Sequence, residues 1–180
     1  MCGGVQFTHA GQTYKIYFPN PEAVLPVLLK DGSHQLLPWG RREGQDGQLP
    51  RGGWARHDSI VNGVWDPYFP KAVKLDLQAF MEKDAHGKSH WYPLLNGWVQ
   101  GLVARAGKEE RVYVVTITPT LPDQRAIHDR WPRIVMGGQH PRMELSLKGG
   151  QPLRFPHEYL LRINWLKSSF RKNGVCMAAN

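Results

Sequence analysis

The chain has little cysteine: two residues, Cys2 and Cys176, near opposite ends of 180. So few cysteines exclude a disulfide framework, and the distance between them excludes a CxxC metal pattern. No apolar run comes near the roughly 20 residues that a membrane-spanning helix needs. No basic-then-apolar leader stands ahead of Cys2. A cytoplasmic protein without membrane association is therefore expected, in a reducing compartment where a thiol stays free. The common catalytic signatures are missing too: there is no Walker loop, GxGxxG, HExxH or GxSxG. His86 and His90 are four apart, but Gly87 lies between them and no acidic third ligand stands out. Neither a metal nor a cofactor is expected. Internal repeats, low-complexity stretches and βαβ alternation are absent as well, which removes a doubly wound parallel sheet.

What is present is positive charge and tryptophan. The formal net charge is +8, from 23 Lys and Arg against 15 Asp and Glu, with no block of like charges. Seven tryptophans accompany it. Basic residues beside aromatics are what hold and stack single-stranded bases. Alternation predicts strands over 12–18 ("QTYKIYF"), 34–40 ("HQLLPWG") and 111–120 ("RVYVVTITPT"), and a strand pair over 90–105 broken at Asn96-Gly97. "EAVLPVLL" (22–29), interrupted by Pro26, fits no one element. The glycine- and arginine-rich stretch 41–58 reads as a long surface loop. Apolar spacing from Val73 to Met81, closed by Gly87, predicts a helix within 71–87. A turn of helix and then a strand from Arg133 are expected in 122–136, and a further helix over 157–170. The sum is a strand-rich α+β domain with irregular connections.

The stretch "MCGGVQF" opens a chemical possibility. If Met1 is removed, Cys2 carries an α-amine and a thiol on one carbon. Their reference pKa values are roughly 7.7–8.0 and about 8.5, so both keep a nucleophilic fraction near neutrality. A partner for proton transfer is His128 in "IHDRWP", with Asp129 and Arg130 beside it to set its protonation.

Five pieces then stand in order: "MCG" at the start, "PWG" (38–40), "PRGGWARHD" (50–58), "NGWVQG" (96–101) and "IHDRWPRIV" (127–135). In that order they resemble the SOS-response-associated peptidase (SRAP) family, from Met1 to about Val135. The resemblance implies one domain over 1–180, α+β, with a mostly antiparallel, barrel-like sheet and a few short helices. It implies a monomer that captures abasic sites in single-stranded DNA covalently, in the DNA damage response and at the nucleoid. The Cys2 amine would form a Schiff base with the sugar aldehyde and the thiolate would close a thiazolidine. His128 matches the family's catalytic histidine, Arg56 the arginine of its "NAR" segment, and Trp39 the tryptophan of its "WG", beside the DNA groove. Gly3 and Arg130 flank the matched residues and join the expected DNA contacts.

Three positions depart from the family pattern. Its catalytic glutamate, two residues after a strand aromatic, is read here at Gln100. Its "NAR" asparagine falls on Trp54, so Trp54 stacks on a base or Asn62 or Asn96 supplies the amide. Gly4 stands where the family has arginine. A catalytically weakened single-stranded-DNA-binding relative, or an autoprocessing cysteine-type peptidase, are the alternative readings.

Overall fold

A computed structural model describes residues 3–121 and 128–136. These belong to one unit, Met1–Gly137. Cys2, Cys176, the turn of helix expected after 122 and the helix expected over 157–170 lie outside the described residues. In chain order the elements are β1 (Gly4–His9), β2 (Gln12–Tyr17), β3 (Val24–Leu28), β4 (His34–Pro38), β5 (Trp54–Arg56) and α1 (His57–Val61). A 3-10 turn follows at Asp66–Tyr68. Then come β6 (Lys71–Leu75), β7 (Ala79–Lys83), β8 (Ser89–Pro93), β9 (Gly97–Ala106), β10 (Glu109–Ile117), β11 (Trp131–Pro132) and β12 (Ile134–Met136).

The strands form two sheets, ordered β2-β1-β7-β8 and β11-β10-β9-β6-β3-β4, with β12 on β9 and β5 on β10. Among the described residues every ladder is antiparallel except β5–β10. The expected α+β class with a mostly antiparallel sheet holds, and the short helices are few. The barrel does not close. A parallel bridge, Trp39 to Val112, carries the end of β4 across to β10, and among the described residues no ladder extends it.

Local chemistry explains the turns. β1 and β2 meet through Ala10-Gly11, both at positive φ (49° and 78°), the conformation a two-residue hairpin of primed type requires. Pro26 is tolerated in β3 because β3 pairs with β6 only at Val27 and Leu28, so no ladder bond there needs its missing N–H. The helix expected within 71–87 is two strands, β6 and β7. Val73, Leu75 and Leu77 also alternate with period two, and β6 finds a five-residue ladder on β9. Tertiary pairing overrides the helical spacing.

The apolar residues gather in two cores. Val5, Phe7, Leu25, Trp39, Phe80 and Trp131 belong to the first. Leu49, Ala55, Trp65, Leu102 and Tyr113 belong to the second. β10 serves both, alternating Val112 and Val114 into the first with Tyr113 and Val115 into the second. The stretch 41–53 is not the open loop its composition suggests. Arg41 donates from Nε to the Leu49 carbonyl at 2.6 Å and from Nη1 to that of Gln45 at 3.0 Å. The Glu109 carboxylate accepts the N–H groups of Gln48 and Leu49 at 2.8 and 3.2 Å. The Tyr113 hydroxyl donates to the Pro50 carbonyl at 2.8 Å, and Leu49 is fully buried.

Candidate functional site

Gly3 is the first described residue and is tied on both sides. Its N–H donates to the Met81 carbonyl at 2.9 Å, and its own carbonyl accepts the Phe18 N–H at 3.1 Å. β1 therefore begins against β7. At Gly4 a Cβ would meet the Tyr17 ring at 3.0 Å and the Met81 methyl at 3.3 Å. A larger residue there would displace that ring.

One residue along β7 from Met81 is Glu82, fully buried. Burial pushes its carboxyl up from the usual carboxylate range to about 7. Phe80, two residues before it, stacks on Tyr92 and meets Trp131 edge-on. The Tyr92 hydroxyl is raised by its burial and then by the Glu82 charge, so the carboxylate is felt at that aromatic wall. The wall joins β7 and β8 to β11, three residues after His128. Phe80-Met81-Glu82 has the spacing aromatic, any residue, glutamate on a strand. The signal stands in "AFME", inside a stretch whose apolar spacing fits a helix as well as a strand.

Gln100 lies elsewhere. It is on β9 of the larger sheet, opposite Lys74, and its backbone N–H donates to the Arg133 carbonyl at 2.8 Å. Its side-chain oxygen accepts from Arg133 Nη1. The amide is engaged with a half-buried guanidinium, on a strand that pairs with neither β1 nor β7. Gln100 is therefore not brought to the β1–β7 junction, because "NGWVQG" begins the long β9 strand.

His128 is partly buried, with Nδ1 2.6 Å from Asp129 Oδ1 and within 3.2 Å of the donating Arg130 N–H. Burial lowers its pKa from the usual imidazole range, against the opposing Asp129 carboxylate. Arg130 is nearly buried, reaching Asp58 Oδ1 from Nη2 and Thr118 Oγ1 from Nη1, each at 3.5 Å. Arg56 donates from Nη2 to Asp58 Oδ2 at 3.1 Å and keeps 61% of its side chain exposed. One carboxylate in the first turn of α1 thus holds both arginines. They meet there because β10 pairs with β5 at Thr116 and with β11 at the same residue. His57, between them in sequence, is lowered by burial and then by Arg133.

Trp39 is fully buried, its indole donating to the Gly53 carbonyl at 2.9 Å. It cannot offer a face to a base. Instead it supports Phe18 at 5.4 Å and Trp54 at 6.3 Å, each edge-on. Trp54 is half-buried, 4.5 Å from Phe18, and the Arg42 guanidinium lies 4.2 Å from the Phe18 ring centroid. Gly53 closes this cluster, since a Cβ would come to 2.5 Å from the Phe18 ring and 2.8 Å from the Trp39 nitrogen.

The structure so brings Gly3 to Phe18, whose ring in turn meets Trp54, and brings Arg56 and Arg130 to one carboxylate, Asp58. Asn62 ends α1 and Asn96 precedes β9; neither stands among these contacts. His86 and His90 do not converge. His90 pairs with Asp84 at 2.7 Å, while His86 gives only its backbone N–H to the same carboxylate. Among the described residues no group of three His, Cys, Asp or Glu could hold a metal ion. Among them, too, no helix is long and apolar enough to cross a membrane. No family model matches the chain, and no curated protein matches its sequence.

Proposed function

We propose that the protein, acting as a monomer in the cytoplasm, captures abasic sites in single-stranded DNA through Cys2 once Met1 has been removed. This is the reading that the SRAP resemblance implies. The observation that supports it most is Glu82: a buried carboxyl held near pH 7, one residue from the carbonyl that anchors Gly3. The ring-opened deoxyribose presents an aldehyde. The Cys2 amine adds to it, and loss of one water leaves the imine. The thiolate then adds to the imine carbon, the nitrogen takes a proton, and a thiazolidine closes. The adduct mass is the sum of protein and oligonucleotide less one water.

Glu82 replaces Gln100 as the proposed acid–base group. A pKa near the working pH lets one carboxyl both donate to the departing hydroxyl and accept from the amine. His128, whose pKa burial lowers, would take the proton released as the sugar ring opens. Arg56 would contact phosphate and Trp54 a base, while the Asp58 carboxylate, shared with Arg130, offsets part of the Arg56 charge. Recruitment to damaged nucleoid DNA belongs to the same proposal.

The test is incubation of processed protein with an oligonucleotide bearing one abasic site, followed by a denaturing gel and intact mass. A heat-stable adduct is expected, absent in Cys2→Ala and slowed about 10²–10⁴-fold in Glu82→Gln. An adduct from Cys2→Ala equal to wild type defeats the thiazolidine. Salt-dependent binding without any adduct would favour the weakened DNA-binding relative.

A further inference from the structure

The four-stranded sheet has one face in the first core. Alternation along its strands turns Val5, Phe7 and Phe80 inward. The opposite face carries a registered row: Tyr17 on β2, Gly4 on β1, Met81 on β7 and Trp91 on β8. Tyr17 is 45% exposed. Its ring lies over Gly4, where no Cβ interferes, and meets Trp91 edge-to-face at 6.1 Å and 79°. The Lys15 ammonium stands 5.2 Å from the Trp91 ring centroid. The next row is Lys15, Gln6, Ala79 and Pro93, and Lys83 lies beyond Met81 on the other side. None of the strand residues of alternate parity on this face is acidic, among Thr13, Lys15, Tyr17, Gly4, Gln6, Thr8, their β7 partners and those on β8. An open aromatic ring, flanked by lysines and free of carboxylates on its own face, complements an unpaired base and its phosphate.

We propose that this face is a stacking platform for a nucleobase of single-stranded DNA, with Tyr17 as the stacking ring and Lys15 and Lys83 as phosphate contacts. The proposal rests on the DNA reading above and extends it to undamaged nucleotides. Gly4 is two residues along the chain from Cys2, a span of at most about 7 Å. A strand reacting at Cys2 therefore has a flanking nucleotide within reach of Tyr17. Stacking accepts any base, so the platform holds the strand whatever the sequence beside the lesion.

The experiment measures anisotropy of a labelled, undamaged oligothymidine with wild type, Tyr17→Ala, Tyr17→Phe and Lys15→Glu. Tyr17→Ala is expected to weaken binding about 5- to 150-fold, the range for loss of one base stack. Tyr17→Phe keeps the ring and is expected to bind as wild type does. Lys15→Glu removes no packed apolar group, so a fold defect cannot account for its loss of affinity. The same variants are run with a saturating abasic oligonucleotide on a denaturing gel. Wild-type affinity in both Tyr17→Ala and Lys15→Glu overturns the platform while leaving capture at Cys2 standing. Weakened binding in both, with no adduct even from wild type, supports the platform and overturns capture. A wild-type protein that binds no oligothymidine overturns the platform outright.

Discussion

Glu82 is the residue on which charge and packing conflict. Its carboxyl is raised in the folded chain from 4.5 to about 7 by burial. The folded state therefore holds a proton that the unfolded state releases between those values. Stability from this group is fully present below pH 4.5 and lost as pH rises through 7, the reverse of an ion-paired carboxylate. Glu82→Gln should thus match wild type near pH 4 and exceed it at pH 8 by up to about 3 kcal/mol. Denaturant midpoints at the two pH values check this. The same variant should flatten the pH–rate profile of capture around 7. His128 could be singled out from sequence because "IHDRWP" is a contiguous string. Glu82 also stands in a short string, "AFME", but the apolar spacing of 71–87 favours a helix there, and only the pairing of β7 with β1, segments some 75 residues apart in sequence, sets it beside Gly3.

At the level of elements, β5 and α1 decide how much positive charge the surface offers. Asp58 neutralises parts of Arg56 and Arg130 at once. Asp58→Asn should free Arg56 for phosphate and tighten single-strand binding at low salt. It should also steepen the log–log salt dependence by roughly 0.7 for each additional phosphate neutralised. Titrations across a potassium chloride series would read that slope. Gly40, at φ 57°, precedes the arginine-rich stretch, and a Cβ there would strike the Gly52 carbonyl oxygen. Gly40→Ala is expected to cost about 1–3 kcal/mol or more, visible as a lowered melting temperature. Composition gave no hint that 54–56 is a strand. Its three residues pair in parallel with β10, and so short a run carries no alternation of its own. β2, β4 and β10 were legible because each is long enough to alternate or to form a β-branched run between turn residues.

Across the whole molecule, Trp131 fastens the end of the larger sheet onto the smaller one, edge-on to Phe80 at 5.2 Å and Tyr92 at 4.9 Å. Trp131→Ala should cost about 3–5 kcal/mol. Trp131→Phe should cost far less, because the buried indole N–H has no hydrogen-bond partner among the described residues and its removal relieves a desolvated donor. Urea melts of the pair separate the two. Strand content could be read from the sequence. The division into two sheets could not, since nothing local distinguishes β7, which leaves the larger sheet, from β6, which stays in it. The tethered stretch 41–53 has a practical consequence for handling the protein. A trypsin site at Arg41 or Arg42 is closed, because both side chains are spent on carbonyls within the fold. The same anchoring makes this stretch a poor place for an epitope tag or a circular permutation. The turns at Gly87 and Gly107, between paired strands and outside that anchored stretch, are better places to open the chain.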